Sequence, residues 1–529
     1  MLRKVPLIVI LGSTGTGKTK LSLELAERFG GEIISADSMQ VYANLDIATA
    51  KATREEQSRV RHHLLDVATP SEPFTVMHFR NKALPIIENL LSQSKCPIVV
   101  GGTNYYIESL LWDILVSSTS TEDISLSPSA TASSAGNAAK PIAAAATTTN
   151  EASNEVQDVA PVSENSKNPS FIDPSEMLTM QSEFLHNHLR TFDPETANRI
   201  HPNNKRKIIR AIEFYQESGQ TLSSKLKEQR QQPGGNRLGG PLRYPHTILF
   251  WLRCNQEVLN ARLDNRVDGM LEQGLLREIR AFHNEHNVDK SNPSSSSSAT
   301  SPSVLSSSSG RDYTKGVLQT IGFKEFIPYL ERFSAANDEK IDEYLRANAY
   351  KMPTEEHFKQ RAGSINEPSD SDTEAVAAND TIDPKDQLPP GLDVLNSCLN
   401  ELKLVTRRYS KKQQKWINNR FLASNDRKVP DLYELDTSDV GRWHECVYSP
   451  AVTIIDCYRS SQVCEIQPMT KRIHPGAGLN EEITNFCAIC QRHFIGEYQW
   501  NLHLKSNRHK KRKESVQRKQ AECPTEEEK

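Results

Sequence analysis

No apolar run in this chain approaches the ~20 residues needed to cross a bilayer, so no membrane-spanning helix and no membrane association are expected. Cysteine is sparse for the length: nine in 529 residues, with only Cys487 and Cys490 close together. That spacing gives no disulfide framework and points to a reducing compartment. The formal net charge is only −3, and the whole-chain value neither supports nor excludes a nucleic-acid partner, because binding depends on local patches. Three basic patches are present, at Lys205–Arg210, Arg407–Lys415 and Arg508–Lys513. No repeat of fixed period appears. The apolar stretch nearest the start, Val5–Leu11, runs straight into a glycine-rich loop. It therefore reads as a buried strand and not as a signal peptide.

What is present is an alternation of strand and helix signals. Strands are predicted at Val5–Leu11, Glu32–Ala36, Pro97–Val100 and Thr247–Leu252, and helices at Lys20–Phe29 and Val76–Leu91, the latter despite Pro85. Short continuous apolar strands between helices imply a parallel sheet covered on both faces. Ser117–Ser170 is rich in Ser, Ala and Thr, Ser291–Gly310 in Ser, and Pro353–Pro390 in acidic residues. All three are expected to be disordered, since they carry too little apolar surface to offset chain entropy. Helical blocks are predicted at Pro174–Ser218, Gln256–Glu285, Ile321–Ala349 and Leu392–Arg420.

Gly12, Ser13, Thr14, Gly15, Thr16, Gly17, Lys18 and Thr19 fit the G-x-x-x-x-G-K-[ST] pattern between a strand and a helix. Such a loop presents consecutive N–H groups and a helix N-terminus to a pyrophosphate. Lys18 supplies a mobile cation, and the Thr19 hydroxyl can face Mg²⁺. The loop recognises phosphates and leaves their carrier open. Asp37 and Thr103 each follow a predicted strand at its C-terminal end, where ligands gather in open α/β sheets. A capping aspartate and a turn threonine fit the same positions. Arg262 and Arg266 share a helix face; they can grip a diphosphate or pair with Asp264 and Asp268.

Cys487-x₂-Cys490-x₁₂-His503-x₅-His509 has Cys₂His₂ zinc spacing. Two thiolates and two imidazoles close a tetrahedral site, so Zn²⁺ is expected to be structural. Phe486, Phe494, Trp500 and Leu502 can supply the small core such a module needs.

The stretches GSTGTGKT, ISADSMQVY, DIATAK, HHLLDV, VVGGTNYY, DPETANRIHPNNKRKIIRAIE, ARLDNRVDGML, QTIGFKEF and TRRYSKKQQKW occur in this order and cover most of residues 6–420. In this the chain resembles the tRNA dimethylallyltransferases, also called tRNA isopentenyltransferases. The C-terminal module further resembles the matrin-type finger of the family's animal members; the Ser117–Ser170 insert departs from the pattern. The resemblance implies a P-loop NTPase-like parallel α/β core, a helical tRNA-binding insertion and a C-terminal C2H2 finger. It implies transfer from dimethylallyl diphosphate, the co-substrate, to the exocyclic amine of adenine 37 in tRNA, with Mg²⁺ as catalytic cofactor.

By the same resemblance Asp37 accepts the amine proton, Thr103 contacts the reacting centre, Lys18 stabilises the leaving group and Arg262 or Arg266 grips it. Which arginine does so stays open. The implied tRNA contacts are Asp37, Ser38, Met39 and Gln40, then Arg206, Lys207 and Arg210, then Gln319, Gly322 and Lys324, and finally Arg408, Lys411, Lys412 and Gln413, with Tyr409 and Trp416 suited to stacking. The expected division is 1–116 for the first part of the core, 117–170 for a disordered insert and 171–245 for the helical insertion. Core and tRNA-binding helices continue over 246–425, followed by a mixed connecting region over 426–480, the finger over 481–515 and a disordered tail over 516–529. A monomer acting on the anticodon stem-loop is expected. No clear targeting segment is seen, and the expected place is the cytoplasm, with mitochondrial and nuclear pools. A small-molecule kinase using the same loop, and a non-catalytic RNA-binding protein, remain the alternative readings.

Overall fold

The computed structural model describes residues 5–70, 72–113, 171–236, 239–285, 316–354, 388–423, 427–473, 476, 478–480 and 483–522. The Ser117–Ser170 and Ser291–Gly310 segments, nearly all of Pro353–Pro390 and the end of the acidic tail lie outside the described residues. Two compact units are formed, one from Met1–Ile124 with Ser224–Asn480 and the other from Ser125–Ser223 with Glu481–Lys529.

The first unit is built on a six-stranded sheet. Its strands are β1 (Leu7–Gly12), β2 (Glu32–Ser35), β3 (His62–His63), β4 (Pro97–Val100), β5 (Thr247–Arg253) and β6 (Leu432–Asp436), in the order β3-β2-β4-β1-β5-β6. Every pairing is parallel. Side chains alternate between two apolar cores, one on each face. Leu7, Val9 and Leu11 of β1 enter one, with Ile34, Val99, Leu249 and Trp251; Ile8 and Ile10 enter the other, with Ile33, Ile98, Ile248 and Phe250. A strand buried on both faces has to be apolar at every position, and that is why β1 reads as an unbroken run.

The four strands expected from sequence are all present, and two more join them. The region read as a mixed connection, 426–480, supplies edge strand β6, the Ser449–Ser460 helix and buried Trp443. Residues Ser224–Asn480 belong to this unit: Arg243 donates to the carbonyls of Ser109 and Leu110 in the helix Asn104–Leu111 at 3.0 and 2.7 Å.

In the second unit the Pro174–Ser218 block divides into helices Pro174–Thr179, Ser182–Phe192, Pro194–Arg199 and Lys205–Ser218. Asp173 and Asp193 cap two of them ahead of prolines that begin the helices. Their core is Met177, Leu185, Leu189, Ile208 and Ile212. Hairpin β7 (Thr484–Cys487) and β8 (Arg492–Ile495), with the helix Glu497–Lys505, forms the finger. The finger rests on the helices through Thr484 Oγ1, which donates to Asn198 O at 3.1 Å, and an edge-on ring contact of His493 with His201. No helix among the described residues is long and apolar enough to cross a membrane.

Candidate active site

Three loops leave the C-terminal ends of the adjacent strands β2, β4 and β1, where an open α/β sheet gathers its ligands. The loop after β1 is Gly12–Thr19, running into the Lys18–Phe29 helix. Gly17 begins that helix at φ 84°, in the left-handed region. A side chain there would also meet the Trp443 ring at 2.8 Å, so glycine is required twice over. Trp443 is anchored by its indole N–H, which donates to Glu24 at 2.9 Å. It thus backs the phosphate loop from a region that carried no motif.

Lys18 Nζ donates to Ser13 O at 2.8 Å, folded back on its own loop, and Thr19 is exposed. Burial pulls the Lys18 ammonium down to about 8; the Asp37 carboxylate opposes this and Arg266 adds to it. Burial likewise lowers the Arg266 guanidinium, again opposed by Asp37. Lys18, Arg266 and Asp37 therefore lie in one another's field: two cations face one carboxylate.

Asp37 is half-buried, and its Oδ1 accepts the Met39 N–H at 3.0 Å, which fixes the turn after β2. Thr103 is 3 % exposed. Its hydroxyl accepts the Ser38 N–H at 3.0 Å and donates to Ser38 Oγ at 3.1 Å. Asp37 and Thr103 are thereby held by adjoining turns of neighbouring strands.

The two arginines separate. Arg262 donates to Thr437 O at 2.6 Å and Ser438 O at 2.8 Å, bracing the turn after β6. Arg266 is instead half-buried and feels the Asp37 charge. The aspartates beside them are taken by the Leu392–Ile417 helix: Arg407 bonds Asp264 at 2.7 and 2.5 Å, and Lys403 reaches Asp268 at 2.6 Å. In this structure Arg262 thus braces the turn after β6, while Arg266 feels the charge of Asp37. Arg266→Ala should raise the KM for an anionic donor about 10- to 100-fold, the range of one or two charge-assisted hydrogen bonds. Arg262→Ala should leave that KM within threefold and lower Tm instead; parallel kinetics and melting curves separate the two.

Several expected tRNA contacts are turned inward. Gln40 accepts from Ser35 Oγ and donates to Thr49 O and Ala50 O. Ser38 is buried, and Met39 Sδ accepts from the Thr320 hydroxyl. Gly322 is packed on Ala48 and its N–H donates to Glu325. Gln413 is 4 % exposed, and Tyr409 lies 3.5 Å from Gly102 O, with a phenol pushed up by burial and by the Asp37 charge. Trp416 packs edge-on against Tyr105. Arg408, Lys411 and Lys324 are exposed, Lys412 and Gln319 half-buried. In the other unit Lys207 is exposed in the first turn of its helix, with Arg206 and Arg210 half-buried beside it.

A further network was not anticipated. Glu108, fully buried, takes Arg420 at 2.5 Å and Arg427 at 2.6 Å; Arg427 stacks 3.5 Å over Trp112. A lone carboxylate in the apolar helix Asn104–Leu111 was the one signal for it, because a buried charge must be paired.

In the finger, the ligand atoms of Cys487, Cys490, His503 and His509 lie within 4.8 Å of one another. His509 Nδ1 sits 3.7 and 3.5 Å from the two sulfurs, and His503 Nε2 is buried without a partner. Tetrahedral zinc separates sulfur and nitrogen by about 3.5 Å, so the four groups fit that ion.

The family model described as IPP transferase matches residues 40–351. The chain belongs to the IPP transferase family. A tRNA dimethylallyltransferase of Mus musculus is 34% identical over 96% of this transferase and 85% of its own length, and that of Homo sapiens is the same in all three figures. That of Schizosaccharomyces pombe is 31% identical over 84% of this chain and 76% of its own. A crystal structure of a eukaryotic dimethylallyltransferase acting on tRNA shares the fold, with a TM-score of 0.62 at 24% identity, covering 97% of the transferase and 98% of that chain. A model described as a double-stranded RNA-binding zinc finger matches residues 484–510.

Proposed function

We propose that this transferase moves the dimethylallyl group of dimethylallyl diphosphate onto N6 of adenosine 37 in tRNA, releasing diphosphate. One observation carries the reading: the Asp37 carboxylate lies in the electrostatic field of two half-buried cations, Lys18 and Arg266, with the Thr103 hydroxyl on the adjoining turn. The N6 lone pair attacks C1 of the prenyl group. The C1–O bond breaks, its electrons leave with the diphosphate, and the N–H proton goes to the Asp37 carboxylate. An exocyclic amine is a poor nucleophile, so a placed proton acceptor helps. Lys18 and Arg266 meet the charge that develops on the leaving oxygen. Mg²⁺, when bound, would share that charge, with the exposed Thr19 hydroxyl as its protein ligand.

The target base has to leave the loop stack to reach Asp37. The exposed Lys324, Arg408 and Lys411 suit phosphate contacts around an anticodon stem-loop, and in the second unit Lys207 is likewise exposed and suited to a phosphate. The zinc-organised finger suits the paired stem, and a monomer suffices because all reacting groups come from one chain.

The test is incubation with labelled dimethylallyl diphosphate, Mg²⁺ and a tRNA whose anticodon loop is rich in adenine. Label should appear on N6 of adenosine after nucleoside analysis. Turnover of ATP with a small metabolite, or label on no nucleoside, would sink the proposal.

A further inference from the structure

Gln413 belongs to the basic stretch that resembles a tRNA contact, yet it points the other way. Its Oε1 accepts the Thr14 N–H of the phosphate loop at 2.9 Å, and its Nε2 donates to Gly102 O at 3.0 Å. Asn104 Nδ2 donates to the Gln413 carbonyl at 3.3 Å, fixing that turn of the helix against the loop after β4. One amide thus spans the donor loop and the loop that carries Thr103. Gly102 is hemmed in by both sides: a Cβ there would lie 2.6 Å from Gln413 Nε2 and 3.2 Å from Asp37 Oδ2. A side chain at this position would displace the Gln413 amide from its place.

From this geometry we infer that Gln413 is a positioning residue, setting the separation between the diphosphate-binding loop and the Asp37–Thr103 pair. The inference rests on the reaction proposed above and deepens it. Gln413 touches neither reacting atom. It works through Thr14 and Gly102, and both ends of its side chain are needed, one as acceptor and one as donor. In a displacement at C1, the amine and the leaving oxygen have to stand on opposite sides of one carbon. A misplacement on the order of 1 Å costs about 10²-fold in such a step. A rigid two-ended clamp between the two loops is what that alignment asks for, and the loops come from sequence positions some three hundred residues and more away from it.

The test uses the full chain with three variants. Gln413→Ala should lower kcat about 100-fold, with tRNA affinity and Tm close to wild type and the donor KM changed less than fivefold. Gln413→Asn, too short to span the gap, should not rescue. Gln413→Glu is the decisive variant. Ionised, it can still accept from Thr14 but sets a carboxylate oxygen against Gly102 O; protonated, it has a donor at that end again. The ratio of its kcat to that of wild type should therefore rise as pH falls from 8 to 5.5. A residue that merely filled space would give a flat ratio. Wild-type kcat in Gln413→Ala, or a flat ratio in Gln413→Glu, overturns the inference while leaving wild-type prenyl transfer intact. Absence of transfer by the wild-type chain instead would be the failure of the proposed function.

Discussion

Asp37→Asn should lower kcat about 1,000-fold, within the range that a general base contributes, while tRNA affinity stays within threefold of wild type. Asparagine is the informative substitution because it keeps the local structure. The Asp37 Oδ1 atom accepts the Met39 N–H at 3.0 Å, and an amide oxygen can do the same. What the amide cannot do is take a proton from the attacking amine, since its oxygen is far too weak a base. Alanine would lose both functions and confuse a folding defect with a chemical one. The donor should bind no worse to Asp37→Asn. Lys18 and Arg266 both feel the Asp37 charge, and removing an anion beside two cations favours an incoming diphosphate. The expected signature is a fall in kcat with an equal or lower donor KM. A kcat reduced less than tenfold would mean that the proton leaves by another route and that Asp37 serves the turn alone.

The sheet was readable where its strands are central. β1 and β5 are buried on both faces, and their sequences, LIVILG and TILFWLR, show it as continuous apolar runs. The edges were not readable. β3 is two histidines, His62 and His63, and no propensity marks a strand so short. β6 reads Leu-Tyr-Glu-Leu-Asp, with Glu434 and Asp436 exposed, as an edge strand can tolerate, so no apolar run gave it away.

The positions of Lys18, Asp37 and Thr103 were legible because each sits just past a strand in a compact motif. Their surroundings were not. In TRRYSKKQQKW the outward cations Arg408 and Lys411 alternate with the inward residues Tyr409 and Gln413, which are four apart on one helical face. Read as a string the segment is basic and suggests nucleic acid throughout; the fold packs one face of the helix against the loops after β1 and β4. The same holds for Arg262 and Arg266. They share a helix face, but the turn after β6 claims the first, and no local pattern foretells which side chain a distant backbone carbonyl will take.

Lys18→Ala should raise the donor KM about 100-fold and leave tRNA affinity unchanged, the loss of one strong charge-assisted contact to a diphosphate. The sharper test is pH. In the free protein burial holds the Lys18 ammonium down to about 8. A bound diphosphate is an anion at close range, so it favours the charged form and raises that value. The donor therefore prefers the protonated lysine. Below pH 8 the cation is already present and binding takes up no proton there. Above pH 8 each binding event must first protonate the amine, so kcat/KM for the donor should fall about tenfold per pH unit. Lys18→Arg separates this effect from other titrations. A guanidinium keeps its charge to beyond about pH 12, so that variant should lose some activity at every pH but show no fall between pH 8 and 10. An unchanged decline in Lys18→Arg would assign the titration to another group; an unchanged donor KM in Lys18→Ala would remove the diphosphate from the loop altogether.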